Sequence, residues 1–412
     1  MARLAWGSIL TDLRSEPRVP PSPPADAPSL PGWLLSRIEQ AGGSVSFRTY
    51  MEWVLHDHEH GAYGAGRLRI GPRGDFATAP SLGPDFAALL LAQVLQWLRQ
   101  LDDGGPLALI ETGPGEGTLA LQLARGLAHA DPALAARCEL VLVEPNPGMA
   151  DRQRRLLAEA PLARRWIASE SADGATLRGV VLAHEVLDAL AVERIVWDGS
   201  CFRQQVVCLA AGRLQLAAGE PLQPEELERL APAALLQGAE RFAGGVRPAG
   251  WCSELHPGLE HWLRRCGALV ADAILLVIDY AHPAARYYAP QRSDGTLMVY
   301  RHQSAGLDPL IAPGACDITA HLCLESLERA ALESGWLPIG KRRQGEALLA
   351  LGLAQRLHAL QLDAGADLAD LLARREALLR LVDPALLGDF HWVALAHGGF
   401  RPERSLFLEE PG

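Results

Sequence analysis

The sequence predicts an α/β protein built on a doubly wound parallel sheet. Three observations support this fold class: short apolar runs alternate with longer amphipathic ones over residues 106–200, a glycine-rich loop follows the first run, and a further buried run returns near residue 275. Such alternation places parallel strands in one sheet with helices on both faces. A chain of 412 residues is too long for one small core, so additional elements are expected around the sheet.

Ahead of the sheet, the sequence predicts a leader followed by helices. Seven prolines fall within residues 16–32, and a stretch so rich in proline cannot hold a helix. Residues 1–32 are therefore expected to form an extended, mobile leader. Residues 33–105 are expected to form an N-terminal helical region, because apolar residues recur there at helical spacing. The individual helices are expected over residues 33–40, 46–55 and 84–101.

The core of the predicted sheet is Rossmann-like and lies within residues 106–200. Its elements are expected as strands over 107–110, 140–143 and 179–183 and helices over 119–130 and 148–158. The apolar run at 273–279 is expected to return to the same sheet, within residues 263–355 that also carry loops on the substrate side. Residues 356–412 are expected to form a C-terminal helical region.

A long insertion is predicted between the third and fourth of these strands. About 90 residues separate them, far more than an ordinary connection in a compact domain. Residues 194–207 alternate as in a strand, and residues 221–238 are expected to be helical. We interpret residues 201–262 as an inserted lid that covers one edge of the sheet.

Composition excludes several classes of protein. The formal net charge of -11 argues against a nucleic-acid partner, which requires a basic surplus. Because no apolar run reaches the ~18 residues of a membrane span, no membrane insertion is expected. Asp12 and Glu16 near the N-terminus do not fit a targeting signal, so the cytoplasm is the expected location. The seven scattered cysteines fit a reducing compartment. The oligomeric state is left open, a homodimer included.

The segment Glu111-Thr-Gly-Pro-Gly-Glu-Gly117, here called the cofactor loop, is the strongest functional signal. Gly113, Gly115 and Gly117 allow a ligand to approach the backbone closely, and the helix that follows offers unpaired N–H groups. The spacing differs from the dinucleotide fingerprint G-x-G-x-x-G, because the third glycine comes one residue early. Glu111 can hold the ammonium of a methionine moiety, whereas it would repel a pyrophosphate. The loop therefore favours S-adenosyl-L-methionine as the cofactor.

A second acid supports the same cofactor. Glu144 ends the next apolar run, where an acid accepts both ribose hydroxyls of an adenosine in related sites. The alternative is a glycine-rich turn with two ordinary surface acids. The agreement of strand, loop, helix and second-strand acid favours the cofactor site.

The third predicted strand leads directly into His184-Glu185-Val-Leu-Asp188. Reactive groups in open α/β sheets lie outside the carboxyl ends of the strands, so Glu185 and Asp188 are the candidate catalytic residues. If the segment is helical, their spacing places both on one face. Paired carboxylates suit a cationic acceptor such as a guanidinium or an amine. The alternative is that both acids cap a helix and bind the insertion.

Two patterns resemble metal sites, and neither is favoured. The segment from His184 to Asp188 lacks the second histidine of H-E-x-x-H. His56-Asp-His-Glu-His60 is compact, but it has no partner cluster with metal-ligand spacing, so a solvated loop or helix end is favoured. No metal is therefore expected.

Several blocks in a shared order resemble the MidA-like methyltransferases, a family that includes a mitochondrial complex I assembly factor. The blocks are Phe47-Arg-Thr-Tyr-Met51, Gly74-Asp75-Phe76-Ala-Thr78-Ala-Pro80 with Phe86, the cofactor loop, Val143-Glu144, Glu185-Val-Leu-Asp188-Ala-Leu190, Ile278-Asp279-Tyr280, Gly295-Thr296-Leu297, Tyr300-Arg301-His302, Asp317-Ile-Thr-Ala-His321 and Gln344. This chain departs from the family pattern at His184, at Ala191 and in the histidine cluster at 56–60.

The resemblance implies a class I methyltransferase fold with extra N-terminal helices and an inserted lid. It implies methyl transfer from S-adenosyl-L-methionine to arginine of a protein partner, such as a respiratory complex I-type subunit during complex I assembly. It further implies that Asp75 closes over the cofactor, and that Arg301 and His321 line the substrate side. His184, although it departs from the family pattern, is expected on the substrate side as well.

Three other functions stay open at this point. The same fold methylates small molecules and other residue types, because fold does not determine substrate. A non-catalytic assembly chaperone would bind the cofactor and grip a partner through its insertion. An NAD-dependent oxidoreductase fits the loop less well.

Overall fold

The computed structural model describes residues 30–71, 74–75, 77–168, 177–230, 247–301, 304–306, 308–362 and 367–411. The predicted leader over residues 1–32 therefore lies almost wholly outside the described residues. The same holds for Phe76 and His302 of the family-like blocks, and for the second half of the helix predicted over 221–238.

A seven-stranded central sheet organises the chain. Its strands, in spatial order, are Leu337–Arg343, His391–His397, Val270–Asp279, Leu177–His184, Leu107–Thr112, Cys138–Val143 and Ala163–Ile167. The last five of these are mutually parallel, and His391–His397 runs antiparallel to both of its neighbours. The prediction of a Rossmann-like, mostly parallel sheet is confirmed.

Alternating apolar side chains bury both faces of this sheet. Leu107 and Leu109 belong to one hydrophobic core, while Ala108 and Ile110 of the same strand belong to the core on the opposite face. The period of two follows from the pleat of a strand, and burial on both sides gives the continuous apolar runs typical of parallel sheets. The first face packs against helices Asp85–Leu101, Thr118–Ala130, Gln344–Ala350, Leu353–Leu362 and Leu368–Val382. The second face packs against helices Gly258–Leu269 and Leu324–Glu333.

The remaining elements surround the carboxyl end of the sheet and its flanks. The other helices are Gly32–Gln40, Phe47–His56, Pro132–Ala135, Pro147–Leu156, Pro224–Leu230 and Ala284–Tyr287, with 3-10 turns at Ala79–Leu82, Leu187–Ala189, Leu387–Asp389 and Leu406–Leu408. The smaller sheets consist of strands Ser44–Ser46, Glu193–Trp197, Phe202–Ala210, Arg213–Pro221 and Cys252–Leu255; Met298–Arg301, Ser304–Ala305 and Asp317–Thr319; and Ala281–His282 with Leu322–Cys323. None of the helices that the structure describes combines the length and apolar character that a bilayer crossing requires.

The insertion forms an antiparallel sheet together with Ser44–Ser46, and the described part of the helix predicted over 221–238 is helical at Pro224–Leu230. The strand predicted over 194–207 is two strands, because Asp198 accepts hydrogen bonds from the backbone of Ser200 (2.8 Å) and Cys201 (2.9 Å) and stabilises a turn between them. The first of these strands begins at Glu193, before the predicted start of the insertion.

The described part of the insertion pairs with Ser44–Ser46 and packs against the N-terminal helix Phe47–His56. The cover over one edge of the central sheet stays a prediction.

The C-terminal region is not purely helical, contrary to the prediction for residues 356–412. His391–His397 lies inside the central sheet between two partners. Its sequence, His-Trp-Val-Ala-Leu-Ala-His, is rich in alanine and leucine, which favour helices, but pairing on both sides overrides that propensity. The strand Ala163–Ile167 was not predicted, because its edge position leaves Ala163, Arg164 and Arg165 with little burial and no apolar run.

Two buried polar groups attach the C-terminal region to the core. The Asp85 carboxylate, 3% exposed, accepts hydrogen bonds from Arg356 and, at 2.9 and 2.7 Å, from Arg374. Gln344 is fully buried, donates to the carbonyl of Leu387 (3.0 Å) and accepts from the Trp392 indole (3.2 Å). The late glutamine of the family-like blocks therefore has a structural role, away from the cofactor loop.

We predict that Asp85→Ala destabilises the protein by roughly 2–4 kcal/mol, because two guanidinium groups lose a buried partner. The free energy of unfolding in urea measures this. Asp151→Ala is the matched control: it removes an exposed ion pair with Arg154 on one helix, and its effect should stay below about 0.5 kcal/mol. Equal effects from the two substitutions would contradict the prediction.

Candidate active site

A cavity of about 840 Å³ opens where the strand order of the central sheet reverses. It lies at the carboxyl ends of Leu107–Thr112 and Leu177–His184, the place where open α/β sheets bind ligands, and its size suits a small-molecule ligand. The described residues between positions 56 and 82, here called the covering segment, supply the wall opposite the sheet. The lining residues of that segment are His56, His58, Tyr63, Gly64, Ile70, Thr78, Pro80 and Ser81.

The cofactor loop approaches this cavity with a backbone that only glycine adopts readily. Gly113 and Gly115 have φ values of 58° and 55°. A Cβ at Gly113 would lie 3.0 Å from Val186 Cγ2, and one at Gly115 would lie 2.8 Å from Ile70 Cδ1. Both the left-handed backbone and the close packing therefore require glycine.

Glu111 places a buried carboxyl group at the base of the loop. It is 4% exposed and lines the cavity, and its Oε2 accepts no hydrogen bond within the described residues. Burial raises its pKa to about 8, although the backbone N–H of Ala120 partly opposes the shift. A buried carboxyl group with a free oxygen fits a cationic ligand group such as an ammonium.

Glu144 also lines the cavity, and Gln153 links its carboxylate to the cofactor loop. Glu144 Oε1 accepts from the Asn146 backbone N–H and Oε2 accepts from Gln153 Nε2, both at 2.9 Å. The same Gln153 amide donates to the carbonyl of Gly115 at 2.8 Å. Burial raises the pKa of Glu144. These hydrogen bonds hold the carboxylate in place at the wall of the cavity. Its remaining lone pairs can accept hydrogen bonds from hydroxyl groups of a ligand.

The covering segment is attached on both sides of the cavity through main-chain carbonyl groups. Asn146 Nδ2 donates to the carbonyls of Tyr63, at 3.1 Å, and Gly64. On the other side, His56 Nε2 lies 2.9 Å from the carbonyl oxygen of Ala189. The segment therefore spans the gap between the loops that follow two separate strands of the sheet.

The histidine cluster at 56–60 is divided among separate tasks. His56 holds the covering segment to Ala189. His60 stacks on Trp33 with ring centroids 4.7 Å apart, and the His58 side chain is 87% exposed. Within the described residues, no group of three or more His, Cys, Asp or Glu side chains is arranged so that it could hold a metal ion.

A smaller cavity of about 30 Å³, here called the acidic pocket, adjoins the large one. Glu185 and Tyr63 belong to the walls of both cavities. The acidic pocket is lined by Tyr63, Ala77, Glu185, Asp188, Tyr280, Tyr300, Asp317 and Thr319. The two candidate catalytic acids thus lie together, next to the larger cavity.

The turn that carries these acids is not an α-helix. Glu185 has φ 53°, a left-handed conformation that is rare for a residue other than glycine, and Leu187–Ala189 is a 3-10 turn. The condition for a shared helical face is therefore not met, although both side chains do reach the same pocket. Asp279 supports the turn, accepting from the backbone N–H groups of Leu187 (3.0 Å) and Asp188 (3.2 Å).

The carboxyl groups around the acidic pocket strongly resist ionisation. Burial, and then the neighbouring charge of Asp279, raises the pKa of both Glu185 and Asp188 well above the usual range. Burial also raises the pKa of Asp279 and that of Asp317 to about 7. Oxygens of Glu185 and Asp317 are buried without a hydrogen-bond partner among the described residues. A group of acids in this state is suited to receive a cation.

The other site residues predicted from the sequence lie elsewhere. Asp75 accepts the backbone N–H of Arg69 at 3.1 Å, and it is not among the residues that line either cavity. His184 lines the large cavity, and its Nε2 lies 3.4 Å from Glu185 Oε1. Burial lowers its pKa to about 3, so the ring is neutral.

Two further residues predicted for the substrate side, His321 and Arg301, line neither cavity. His321 stacks on Tyr280, with ring centroids 5.1 Å apart, and so supports a residue of the acidic pocket without lining it. Arg301 ends the strand Met298–Arg301 and lines neither cavity.

Sequence reasoning assigned no role to five residues that the site contains. Gln153 had no sequence signal, because a glutamine in an amphipathic helix is ordinary. Asp317, Tyr280 and Tyr300 stood within the family-like blocks but received no function. Tyr63, whose hydroxyl hydrogen-bonds the Asp317 carboxylate, comes soon after the histidine cluster and has no sequence signal of its own.

Comparisons with known proteins agree with this geometry. The model of the family described as "Putative S-adenosyl-L-methionine-dependent methyltransferase" matches residues 89–341. The mitochondrial protein arginine methyltransferase NDUFAF7 of Mus musculus is 26% identical over 92% of this chain and 88% of its own length. Its Drosophila melanogaster homolog is 25% identical over 95% of this chain and 91% of its own.

A solved structure is also similar over nearly the whole chain. A protein from Burkholderia thailandensis, crystallised with S-adenosyl-homocysteine, is 30% identical and superposes with a TM-score of 0.78. The match covers 92% of this chain and 94% of that one.

We predict that Glu111→Gln stabilises the ligand-free protein more at alkaline than at acidic pH. The folded pKa of about 8 exceeds the unfolded value of about 4.3. The stability that Glu111 contributes in its protonated form is therefore present below about pH 4 and is lost as the pH rises towards 8. A neutral glutamine avoids this loss.

Thermal unfolding at pH 5 and pH 9 tests the prediction. The melting temperature of the variant should exceed that of the parent by roughly 1–4 °C more at pH 9 than at pH 5. Glu159→Gln, in the exposed turn that follows the helix Pro147–Leu156, is the control and should show no such difference. A gain for Glu111→Gln that is independent of pH would contradict the assignment of its pKa.

Proposed function

The chain belongs to the family of S-adenosyl-L-methionine-dependent methyltransferases, and from this premise we propose that it methylates an arginine of a protein partner. The family, the class I methyltransferase fold and the cofactor expected from the sequence are confirmed by the family match and the similar solved structure. The observation that carries the proposal is the acidic pocket, which meets the cofactor cavity at Glu185.

The residues of the large cavity fit the cofactor. We assign Glu111 to the ammonium group of its methionine part and Glu144 to the ribose hydroxyls. Gly113 and Gly115 leave the backbone open to close approach. When bound, S-adenosyl-L-methionine supplies a methyl group activated by a sulfonium. The task of the protein is then to position an acceptor and exclude water, which the covering segment supports by closing the side opposite the sheet.

The acidic pocket fits a guanidinium better than a neutral acceptor. Its volume of about 30 Å³ admits the end group of a side chain and excludes a bulky molecule. A guanidinium stays protonated, and its charge would favour ionisation of Glu185, Asp188 and Asp317. Carboxylates on one side would draw the positive charge towards them and leave another nitrogen exposed to the methyl group.

A protein rather than a free amino acid is the proposed carrier of that arginine. The relatives from Mus musculus and Drosophila melanogaster are named protein arginine methyltransferases, and this supports the choice at 25–26% identity. A respiratory complex I-type subunit, methylated during complex I assembly, is the proposed partner. The cytoplasmic location stays a prediction.

Incubation with labelled cofactor and clarified host lysate, followed by mass spectrometry, tests the acceptor directly. Label on arginine of a protein supports the proposal. Label on a small molecule or on another residue type would replace it with the same chemistry on a different acceptor.

We predict that Glu185→Gln lowers the rate of methyl transfer at least ~100-fold, because the loss of one charged group at a reacting centre lowers the rate by about that factor. Binding of S-adenosyl-homocysteine, measured by calorimetry, should change less than about threefold. Glu159→Gln is the surface control. A chaperone that uses the cofactor only for binding would instead support assembly undiminished in the Glu185→Gln variant, and that result would overturn the enzymatic proposal.

We predict that Gln153→Leu weakens binding of S-adenosyl-homocysteine by roughly 10–100-fold. The substitution leaves Glu144 Oε2 and the Gly115 carbonyl without their shared donor, and a hydrogen bond to a charged group contributes about 1.5–3 kcal/mol. Arg155→Ala, an exposed change on the same helix, should leave the affinity unchanged. Parental affinity in Gln153→Leu would show that Gln153 does not support the cofactor site.

A further inference from the structure

We propose that Asp279 is a positioning residue that sets both the geometry and the charge of the acceptor site. Its carboxylate would hold the turn that carries Glu185 and Asp188, and would keep those two acids in the neutral form until a cation enters. The inference rests on the proposed function of the two acids, and it adds a residue that lines neither the cofactor cavity nor the acidic pocket but contacts the wall of the pocket from outside.

The first observation is the set of hydrogen bonds that Asp279 accepts. Asp279 Oδ2 accepts from the backbone N–H groups of Leu187 at 3.0 Å and Asp188 at 3.2 Å, and Oδ1 accepts from Tyr280 at 2.8 Å. The side chain is 1% exposed. One carboxylate thus satisfies donors of the turn after the strand Leu177–His184 and of its own strand end.

The second observation is the backbone strain at Glu185. Its φ of 53° is strained for a residue with a side chain and persists only when its surroundings hold it. The Glu185 backbone N–H donates to the carbonyl of Ile278 at 2.9 Å, next to Asp279. At the other end of the turn, the carbonyl of Asp188 accepts a hydrogen bond from the backbone N–H of Ala320 at 2.9 Å. Asp279 therefore occupies the centre of the contacts that hold the strained turn.

The third observation is the number of ionisable groups that surround Asp279, Glu185 and Asp188. The acids and phenols facing this centre are Glu185 and Asp188 on the turn, Asp317 on its strand, Tyr280 beside Asp279, Tyr300, and Tyr63 of the covering segment. Two histidines also face it: His184 Nε2 lies 3.4 Å from Glu185 Oε1, and His391 pairs with Asp279 across the sheet. After burial, the charge of Asp279 is the next cause that raises the pKa of both Glu185 and Asp188. Without a bound cation, Asp279 opposes the ionisation of the two acids that would contact the acceptor.

The decisive variant is Asp279→Asn, which keeps the shape but removes the charge and one acceptor oxygen. Its rate of label transfer from S-adenosyl-L-methionine into clarified host lysate should fall about 100-fold, as expected for small misplacement of reacting groups. Affinity for S-adenosyl-homocysteine should stay within about twofold. The residual transfer should reach its half-maximal rate at a pH about one unit lower than in the parent, because the two acids ionise more readily.

Asp272→Asn is the matched control, since Asp272 lies at the opposite end of the same strand. Its carboxylate accepts the backbone N–H groups of Gly399 at 2.7 Å and Phe400 at 3.1 Å. Loss of a backbone acceptor there lowers stability, but the pH dependence of methyl transfer should not move. A purely structural role for Asp279 would give the same result in both variants.

The outcomes separate this inference from the proposed function. If Asp279→Asn transfers methyl groups at the parental rate with the parental pH profile while Glu185→Gln is inactive, the inference is wrong and the proposed function stands. If Glu185→Gln is fully active, the proposed function itself fails.

A second variant covers the case in which Asp279→Asn does not fold. Asp279→Glu retains the charge but displaces it, so the rate should fall while the pH profile stays parental. A parental rate in Asp279→Glu, or a shifted pH profile, would overturn the inference.

Discussion

Carboxyl groups withdrawn from water at the carboxyl edge of the central sheet are the feature around which this molecule is arranged. The residues that line the acidic pocket include no lysine or arginine among the described part of the chain. Backbone N–H groups and tyrosine hydroxyls perform part of the stabilisation that basic side chains provide elsewhere. Such an arrangement is unfavourable for folding. A buried acid without a counter-charge must either keep its proton or carry a charge that has lost its water, and both states lower the free energy of unfolding at neutral pH. The two apolar cores on the faces of the sheet offset that cost.

The same constraint explains why the site draws on distant parts of the chain. A parallel sheet brings the ends of Leu107–Thr112, Leu177–His184 and Val270–Asp279 to one edge, which gathers Glu111, Glu185 and Asp279. The remaining enclosure cannot come from the strands themselves. The covering segment and the small sheet that contains Asp317 provide it, and each is attached by hydrogen bonds to the main chain of a core loop.

The sequence predicted those parts of the fold and site that depend on local pattern. The cofactor loop and Glu144 were foreseeable, because glycine spacing and an acid at a strand end are local signals with a direct physical meaning. Asp317 and Tyr63 were not, since each acquires its role only by meeting the other across more than 200 residues of chain. The positive φ of Glu185 was equally hidden, because glutamate has no intrinsic preference for that conformation. His391–His397 was misassigned because its alanines and leucines favour a helix in the absence of neighbours.

The position of Tyr63 has a thermodynamic consequence for the two cavities. One phenol ring belongs to the walls of both, so the occupant of either cavity meets the same ring and the same stretch of backbone. Any displacement of the covering segment by one ligand changes the surface offered to the other. Occupancies linked in this way obey reciprocity: the factor by which the first ligand alters the affinity for the second equals the factor for the reverse. A single aromatic side chain is thus a point at which the two proposed binding equilibria would be coupled.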